Sequence, residues 1–330
     1  MTERLRFAMP KATPRGLWRR VPPAIFAPIL GLLTLALAWR AAVAQFALPA
    51  GLSGMLDGAA VALFLFAATA YAVKLCWRPA VLADDLAVLP GRMGTAAGVL
   101  GVYALAGVLG AYLPHLARGV LAAGLVLHLL LLVTALRVLA RGAGDARRLG
   151  PVWHLQWAGA LVAARAALPL DWPRLAEMLF WGGLLAAAVI WAISLRQLRE
   201  GRWPAPLRPL LALHLAPLAL IGSVLVLTGH PVAGGVAAVM VGLMLLAGVL
   251  AWRWLTVAGF SALWGAFAFP IAASADLFWT LYAAIPSEGL RILSGMLLVS
   301  ATLTVIPLTF LILRDWARGR LAVRTNAAVA

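Results

Sequence analysis

Four ionisable side chains lie in stretches of sequence that are otherwise strongly apolar. Asp276 lies inside the apolar run 260–284, and Arg165 lies near the end of the run 151–170. His154 and His214 lie near the beginnings of two such runs. An ionised group in an apolar medium is costly unless it faces a cavity or a partner. All four are therefore candidates to face a cavity. We predict that Arg165 neutralises Asp276, and that the two histidines either line an inner vestibule or pack at the membrane interface.

Other chemistry at these residues finds less support in the sequence. Two histidines on facing helices can ligate haem, but no histidine follows a Cys-x-x-Cys pattern, and the only cysteine is Cys76. The chain contains no glycine-rich nucleotide-binding loop and no Ser/His/Asp arrangement in a convincing context. We therefore expect no enzyme and no resident cofactor or metal, and a membrane haem protein remains a remote alternative.

The composition identifies the medium that surrounds the chain. Of the 330 residues, 64% are hydrophobic and 12% are charged, whereas a soluble domain has about 25% charged residues. So much apolar surface requires lipid as its solvent. The formal net charge of +16 would suggest nucleic-acid binding if the basic residues clustered on one folded surface, but they lie in short segments between apolar runs. The sequence therefore predicts a partner bilayer and no nucleic acid.

Long apolar runs recur ten times along the chain. A helix needs about 20 apolar residues to cross the hydrocarbon core of a bilayer. The candidate spans are 22–44, 54–75, 94–113, 118–139, 151–170, 174–196, 207–228, 232–252, 260–284 and 289–313. We predict an all-α integral membrane fold, with a basic tail at residues 1–20, a ten-helix transmembrane domain at 21–314 and a second tail at 315–330.

The basic residues indicate the orientation of these spans. Lys and Arg of short loops stay on the cytoplasmic side, and most of the 27 basic residues lie before the first span or next to the end of an even-numbered one. The connections on the opposite side are short, as at 113–115 and 229–231. Both termini are therefore predicted in the cytoplasm, and the repeating unit is a helical hairpin that faces outward, present five times.

Helix-breaking prolines are concentrated in the odd-numbered spans. Pro28, Pro217 and Pro270 lie inside the first, seventh and ninth spans, and Pro307 alone is similarly placed in an even-numbered one. A proline in a spanning helix frees a backbone carbonyl, which protein or water must satisfy. This bias favours odd-numbered helices around a central pore. Secondary transporters often contain inverted repeats around a midplane site, so five like-oriented hairpins favour a channel over a proton-coupled transporter.

Three stretches carry a resemblance to a known family. They are 207–220 (LRPLLALHLAPLAL), 260–270 (FSALWGAFAFP) and 318–325 (RGRLAVRT). In these stretches the chain resembles the bacterial tellurite-resistance TehA proteins and the plant guard-cell slow anion channels. The resemblance implies five hairpins around a pore for small anions and a homotrimer whose protomers each conduct. It also implies a bacterial inner-membrane location and a link to tellurite resistance, and it keeps uptake of C4-dicarboxylates by a proton-coupled transporter as the alternative.

The resemblance also implies a gate. In the family a phenylalanine of the ninth helix blocks the pore at mid-membrane, and that residue corresponds to Phe269. Gly31 corresponds to the small residue that faces the gate. The position is suitable, because Phe269 lies nine residues into its span, about 14 Å deep in a core of about 30 Å. Pro270 frees the carbonyl of Ala266 and favours a local bend beside the ring.

The location of Asp276 relative to the gate follows from helix geometry. Seven residues separate it from Phe269, which returns it to nearly the same helix face about 10 Å further along. A bare carboxylate there would repel anions, which is why we expect Arg165 to pair with it. In an apolar pore, anion selectivity is expected to be weak and to follow the cost of dehydration.

Overall fold

The computed structural model describes residues 16–141, 150–200 and 203–330 of the chain. Regular structure in these ranges is helical. Residues 1–15, which form most of the predicted basic tail, lie outside the described residues. The same holds for the loops 142–149 and 201–202, which carry Arg147, Arg148 and Arg202.

The helices follow one another with short connections. In chain order they are α1 (Phe26–Gln45), α2 (Ala50–Trp77), α3 (Val81–Ala87), α4 (Leu89–Gly110), α5 (Pro114–Arg141), α6 (Trp153–Gln156), α7 (Ala160–Ala167), α8 (Pro173–Arg199), α9 (Leu215–Leu227), α10 (Pro231–Leu250), α11 (Trp252–Leu255), α12 (Gly265–Ala284), α13 (Glu288–Ala317) and α14 (Arg320–Arg324). The 3-10 segments Pro23–Ile25, Ala205–His214 and Ala262–Trp264 run directly into α1, α9 and α12.

Nine helices within the described residues are long and apolar enough to cross a membrane. They are Pro23–Gln45, Ala50–Trp77, Leu89–Gly110, Pro114–Val138, Pro173–Arg199, Ala205–Leu227, Pro231–Leu250, Ala262–Ala284 and Glu288–Ala317. They correspond to nine of the ten predicted spans, because length and apolarity are local properties of the sequence. The fold is thus an all-helical, multi-pass membrane fold.

The fifth segment differs from its prediction as a continuous span over 151–170. Helix α6 ends at Gln156, residues 157–159 form a turn, α7 ends at Ala167, and a 3-10 segment follows to Leu170. The backbone carbonyl of Gln156 accepts a hydrogen bond from His128 Nε2 at 2.6 Å. This contact with α5 satisfies a carbonyl that the break removes from helical bonding. The structure therefore corrects the prediction of an unbroken helix here.

Burial alternates along the chain. The most apolar windows of spans one, three, seven and nine are 67 to 89% buried, whereas those of the even-numbered spans are 22 to 33% buried. Six of the eight residues of α7 are also buried. The odd-numbered segments therefore lie inside the bundle, and the even-numbered ones present large apolar side chains outward, as lipid requires.

The inner segments contact one another in a closed cycle. Helix α1 packs against α4, α4 against α7, α7 against α9, α9 against α12, and α12 against α1. Each also packs against the helix that follows it: α1 on α2, α4 on α5, α7 on α8, α9 on α10 and α12 on α13. The described chain is thus built of five helical pairs, whose first members contact each other around the cycle.

A fully buried ion pair joins α2 to α3. Lys74 Nζ lies 2.7 Å from Asp85 Oδ2, and both side chains are 0% exposed. The same ammonium group donates to the carbonyl of Val21 at 2.9 Å, and Tyr71 Oη donates to Asp85 Oδ2 at 3.0 Å. The backbone N–H of Ala328 donates to the second carboxylate oxygen at 3.1 Å. One carboxylate therefore ties α2, α3 and the carboxy-terminal segment together.

Candidate functional site

A small cavity lies among the inner segments. Its lining residues come from segments three, five, seven and nine: Leu100, His154, Leu155, Ala158, Gly159, Val162, Ala216, Pro217, Leu220 and Phe269. Its volume is about 10 Å³, roughly the room that one water molecule needs. His154 supplies the polar side chain of an otherwise apolar wall. Four of the five inner segments therefore meet at one small, largely apolar cavity.

Phe269 lies on α12 at the wall of this cavity. Its side chain is buried, with 4% of its surface exposed. Pro270 follows it inside the helix and has no N–H to donate to the carbonyl of Ala266. The phenyl ring, the proline and the cavity thus lie together, as a gate at this position requires.

Gly31 on α1 contacts the backbone of α12 rather than open space. A Cβ at this position would lie 2.5 Å from Cβ of Ala268, 2.8 Å from its carbonyl carbon and 3.0 Å from the backbone nitrogen of Phe269. Such distances are well inside van der Waals contact. Glycine therefore lets α1 and α12 approach closely, and any side chain here would push the segment that carries Phe269 away from α1.

His154 and His214 contact each other directly, although 60 residues separate them in the chain. His154 Nε2 lies 2.8 Å from His214 Nδ1, so one nitrogen donates a proton to the other. Trp191 of α8 packs against the His154 ring and donates to the carbonyl of His214 at 3.2 Å. A metal ion between two imidazoles, about 2 Å from each nitrogen, would need a separation near 4 Å. The observed contact therefore does not fit haem ligation by this pair.

Arg165 and Asp276 form an ion pair between α7 and α12. Arg165 Nε lies 3.3 Å from Asp276 Oδ2, and Arg165 Nη2 donates to Oδ1 at 3.4 Å. The carboxylate side chain is 7% exposed and the guanidinium side chain 22%. The structure thus brings together the two residues that the sequence suggested as partners, and the formal charge of the pair is zero.

We expect Asp276→Asn to lower the free energy of unfolding by about 1 to 3 kcal/mol, because Arg165 loses its anionic partner in a largely buried position. The same substitution adds a net positive charge and is expected to increase anion current. Unfolding of the purified protein in detergent and current across a planar bilayer measure the two effects.

Asp171→Asn is the matched control. Asp171 pairs with Arg118 at 3.0 Å, but its side chain is 86% exposed, so its loss is expected to change little. If Asp276→Asn left expression, stability, current and ion preference as unchanged as the control does, the pair would have no functional role.

Sequence reasoning missed the break in the fifth segment, although this segment supplies five of the cavity residues. The signal available was Gly150, Pro151 and Gly159 on either side of the motif Trp153–Gln156, at the beginning of the apolar run 151–170. It also missed the role of His128, which receives a hydrogen bond from Tyr103 Oη at Nδ1, at 3.0 Å, while its Nε2 donates to Gln156. Through these contacts, α4 and α5 hold the broken backbone of the fifth segment in position.

Comparison with known proteins bears on this arrangement. The family model described as SLAC1, voltage-dependent anion channel, matches residues 20–313. A search of curated proteins gives no match. The matched range covers most of the chain, and it includes every residue of the cavity and both members of the Arg165–Asp276 pair.

Proposed function

Because the chain belongs to the SLAC1 family of voltage-dependent anion channels, we propose that it passes small anions across the bilayer through a pore between its inner segments, with Phe269 as the gate. The family match and the apolar helices establish that the chain is a multi-pass membrane protein. We further propose ten membrane segments, arranged as five hairpins, with the broken fifth segment among them.

The closed cycle of inner segments is the observation that carries this proposal. A pore needs a ring of helices with a path along its axis, and four members of the cycle meet at the cavity beside Phe269. The constriction is apolar and holds about one water molecule, so it is expected to be dewetted and closed to ions. The resting protein should therefore conduct little.

The charge distribution supports entry of anions from the predicted cytoplasmic side. The basic residues predicted on the outside are matched in number by carboxylates there, so the net charge of +16 falls on the inside. Four of the outer arginines are paired: Arg40 with Asp57, Arg118 with Asp171, Arg165 with Asp276, and Arg291 with Glu288. A positive inner rim raises the local concentration of anions.

Three finer features of the proposal rest on the resemblance and on topology. The distribution of Lys and Arg supports a cytoplasmic location of both termini, and the family resemblance supports a bacterial inner membrane. A homotrimer is in keeping with the exposed apolar faces of the even-numbered helices, which either lipid or a second copy can cover. A contribution to tellurite resistance would then act through anion flux.

Reconstitution in planar bilayers tests the function. We expect a small current whose reversal potential follows an imposed chloride gradient and does not respond to a proton gradient. Empty bilayers are the control. Absence of current, together with C4-dicarboxylate uptake that requires a proton gradient, would contradict the channel function and favour a proton-coupled transporter.

A further inference from the structure

The break in the fifth segment borders the cavity directly. His154, Leu155, Ala158 and Gly159 all line it. Non-helical backbone at membrane depth is tolerated where it is buried in protein or lines a cavity. A Cβ on Gly159 would lie 2.4 Å from the carbonyl oxygen of Leu155 and 2.8 Å from a methyl group of Leu100. Glycine is therefore needed for the chain to turn here without filling the cavity.

Among the described residues, four buried polar atoms near this break have no hydrogen-bond partner: His154 Nδ1, the amide oxygen and nitrogen of Gln156, and Trp157 Nε1. Of these three residues, only His154 lines the cavity. His154 is 3% exposed, and its Nδ1 is buried and unpartnered. Its Nε2 is already engaged with His214, which does not line the cavity. Leaving a buried polar atom unsatisfied costs about 1 to 3 kcal/mol. A small occupant of the cavity that bonds to Nδ1 would remove this cost.

The contact with His214 determines which occupants suit Nδ1. When His214 Nδ1 donates to His154 Nε2, the neutral His154 ring carries its proton on Nδ1. When the pair holds one extra proton on His154, Nδ1 again carries a proton. In both states the imidazole offers an N–H donor, which an anion accepts. When His154 Nε2 donates to His214 instead, Nδ1 of the neutral ring carries only a lone pair, so a bound anion selects the arrangement in which His214 is the donor. His214 therefore orients the donor without touching the occupant.

The remaining surroundings favour negative charge. Helix α7 begins at Ala160, next to the cavity, and has no side-chain cap at Gly159, so the positive end of its dipole faces this region. Val162 of the same first turn also lines the cavity. None of the lining residues carries a carboxylate. The N–H donor, the helix dipole and the absence of acidic side chains from the lining thus all favour an anion as the occupant.

We propose that this cavity is an anion-binding site, in which Nδ1–H of His154 donates to one compact monovalent anion such as a halide, and His214 holds the donor in position. The proposal rests on the proposed function, since the site lies on the suggested path. It makes His154 a specificity-determining residue. Anion selectivity would then depend on the hydrogen bond from His154 as well as on the cost of dehydration.

The size of the cavity relates the site to the gate. A volume of about 10 Å³ admits an occupant of about the size of water, and Phe269 forms part of the wall. Chloride is somewhat larger than water, so the wall must relax slightly to admit it, whereas a polyatomic anion such as nitrate needs the phenyl ring to move outward. The site should thus prefer halides while the gate is closed and lose this preference when the gate opens.

Thermal unfolding of the purified full-length protein in detergent tests the site without requiring conduction. Chloride is compared with gluconate at equal ionic strength. An anion that binds the folded state stabilises it in a saturable manner, so we expect chloride to raise the unfolding temperature and gluconate to have no such effect. His154→Gln retains an amide that reaches His214 but has no group at the place of Nδ1. We expect its chloride affinity to fall about tenfold, as loss of one good hydrogen bond implies.

His154→Asn provides the complementary variant, because its amide occupies the place of Nδ1 and should retain chloride binding. His230→Gln is the control, since His230 is exposed on the short connection after the seventh segment. The inference is overturned if chloride stabilises His154→Gln as well as the unmodified protein, or if chloride gives no specific stabilisation of the unmodified protein. A protein that binds chloride in detergent but carries no bilayer current would contradict the channel and leave the site intact.

Discussion

Replacing Phe269 with alanine is expected to raise the anion current of the reconstituted protein by about tenfold or more. The ring lines the apolar constriction and is almost fully buried. Its removal widens the constriction, which lets water and hydrated anions enter a region that is otherwise dewetted. A barrier lowered by only about 1.4 kcal/mol already gives a tenfold rise. Single-channel and macroscopic currents in planar bilayers measure the effect.

Loss of a buried phenyl group also destabilises the protein, by about 3 to 5 kcal/mol. The experiment therefore needs a variant that loses the same packing without opening the constriction. Phe267→Ala is suitable, because Phe267 has the same 4% exposure but lies two residues earlier, on the opposite face of α12. Its ring packs against Trp252 and Trp264, with centroids at 5.3 and 6.0 Å.

The comparison of the two variants separates gating from leakage. We expect similar losses of stability from both and an increase in current from Phe269→Ala alone. Equal currents from both would mean that loosened packing, rather than a gate, lets ions through. No increase from Phe269→Ala in a folded protein would contradict the gate.

The sequence predicted the parts of this fold that depend on local patterns. Nine of the ten predicted spans correspond to long apolar helices in the described residues, because about 20 successive apolar residues are visible without knowledge of neighbours. The resemblance was confirmed by the family match over residues 20–313. Arg165 and Asp276 were suggested as partners because charges in an apolar medium need compensation and few candidates exist. The structure places them together, and their position along a pore stays a prediction.

What depends on distant contacts was not predicted. The fifth segment breaks where His128 of the neighbouring helix binds the carbonyl of Gln156. The glycines and the proline near this point permit a break, but this contact with another helix is not visible in the local sequence. The contact of His154 with His214 joins two segments whose relative rotation is set by packing. Lys74 was assigned to a cytoplasmic boundary because topology rules treat every basic residue alike, yet its side chain is completely buried.

Loss of the charge partner of this buried lysine is expected to have a large effect on stability. We expect Asp85→Ala to lower the free energy of unfolding by about 3 to 5 kcal/mol, because it leaves the Lys74 ammonium buried without a counter-charge. Tyr71 and the backbone of Ala328 lose their acceptor at the same time. Reversible unfolding of the purified protein in mixed micelles measures the loss.

Asp84→Ala is the matched control at the adjacent position. Asp84 pairs with Arg78 at 2.6 Å, but the two side chains are 53 and 43% exposed, so about 1 kcal/mol or less is expected. The double variant Lys74→Met with Asp85→Leu tests the cause, since replacing both charges by apolar groups often restores stability. Equal losses in Asp84→Ala and Asp85→Ala would contradict the role assigned to burial.

The same cluster connects stability to the gate. Lys74 holds the carbonyl of Val21, which immediately precedes the first inner segment, and Gly31 of that segment contacts the backbone of Ala268 and Phe269. Asp85→Ala is therefore expected to loosen the support of the gate helix and to increase current at temperatures below its unfolding transition. The double variant should restore the low current together with stability. Recovery of stability without recovery of low current would mean that the ion pair acts on the gate through its charge and not through packing.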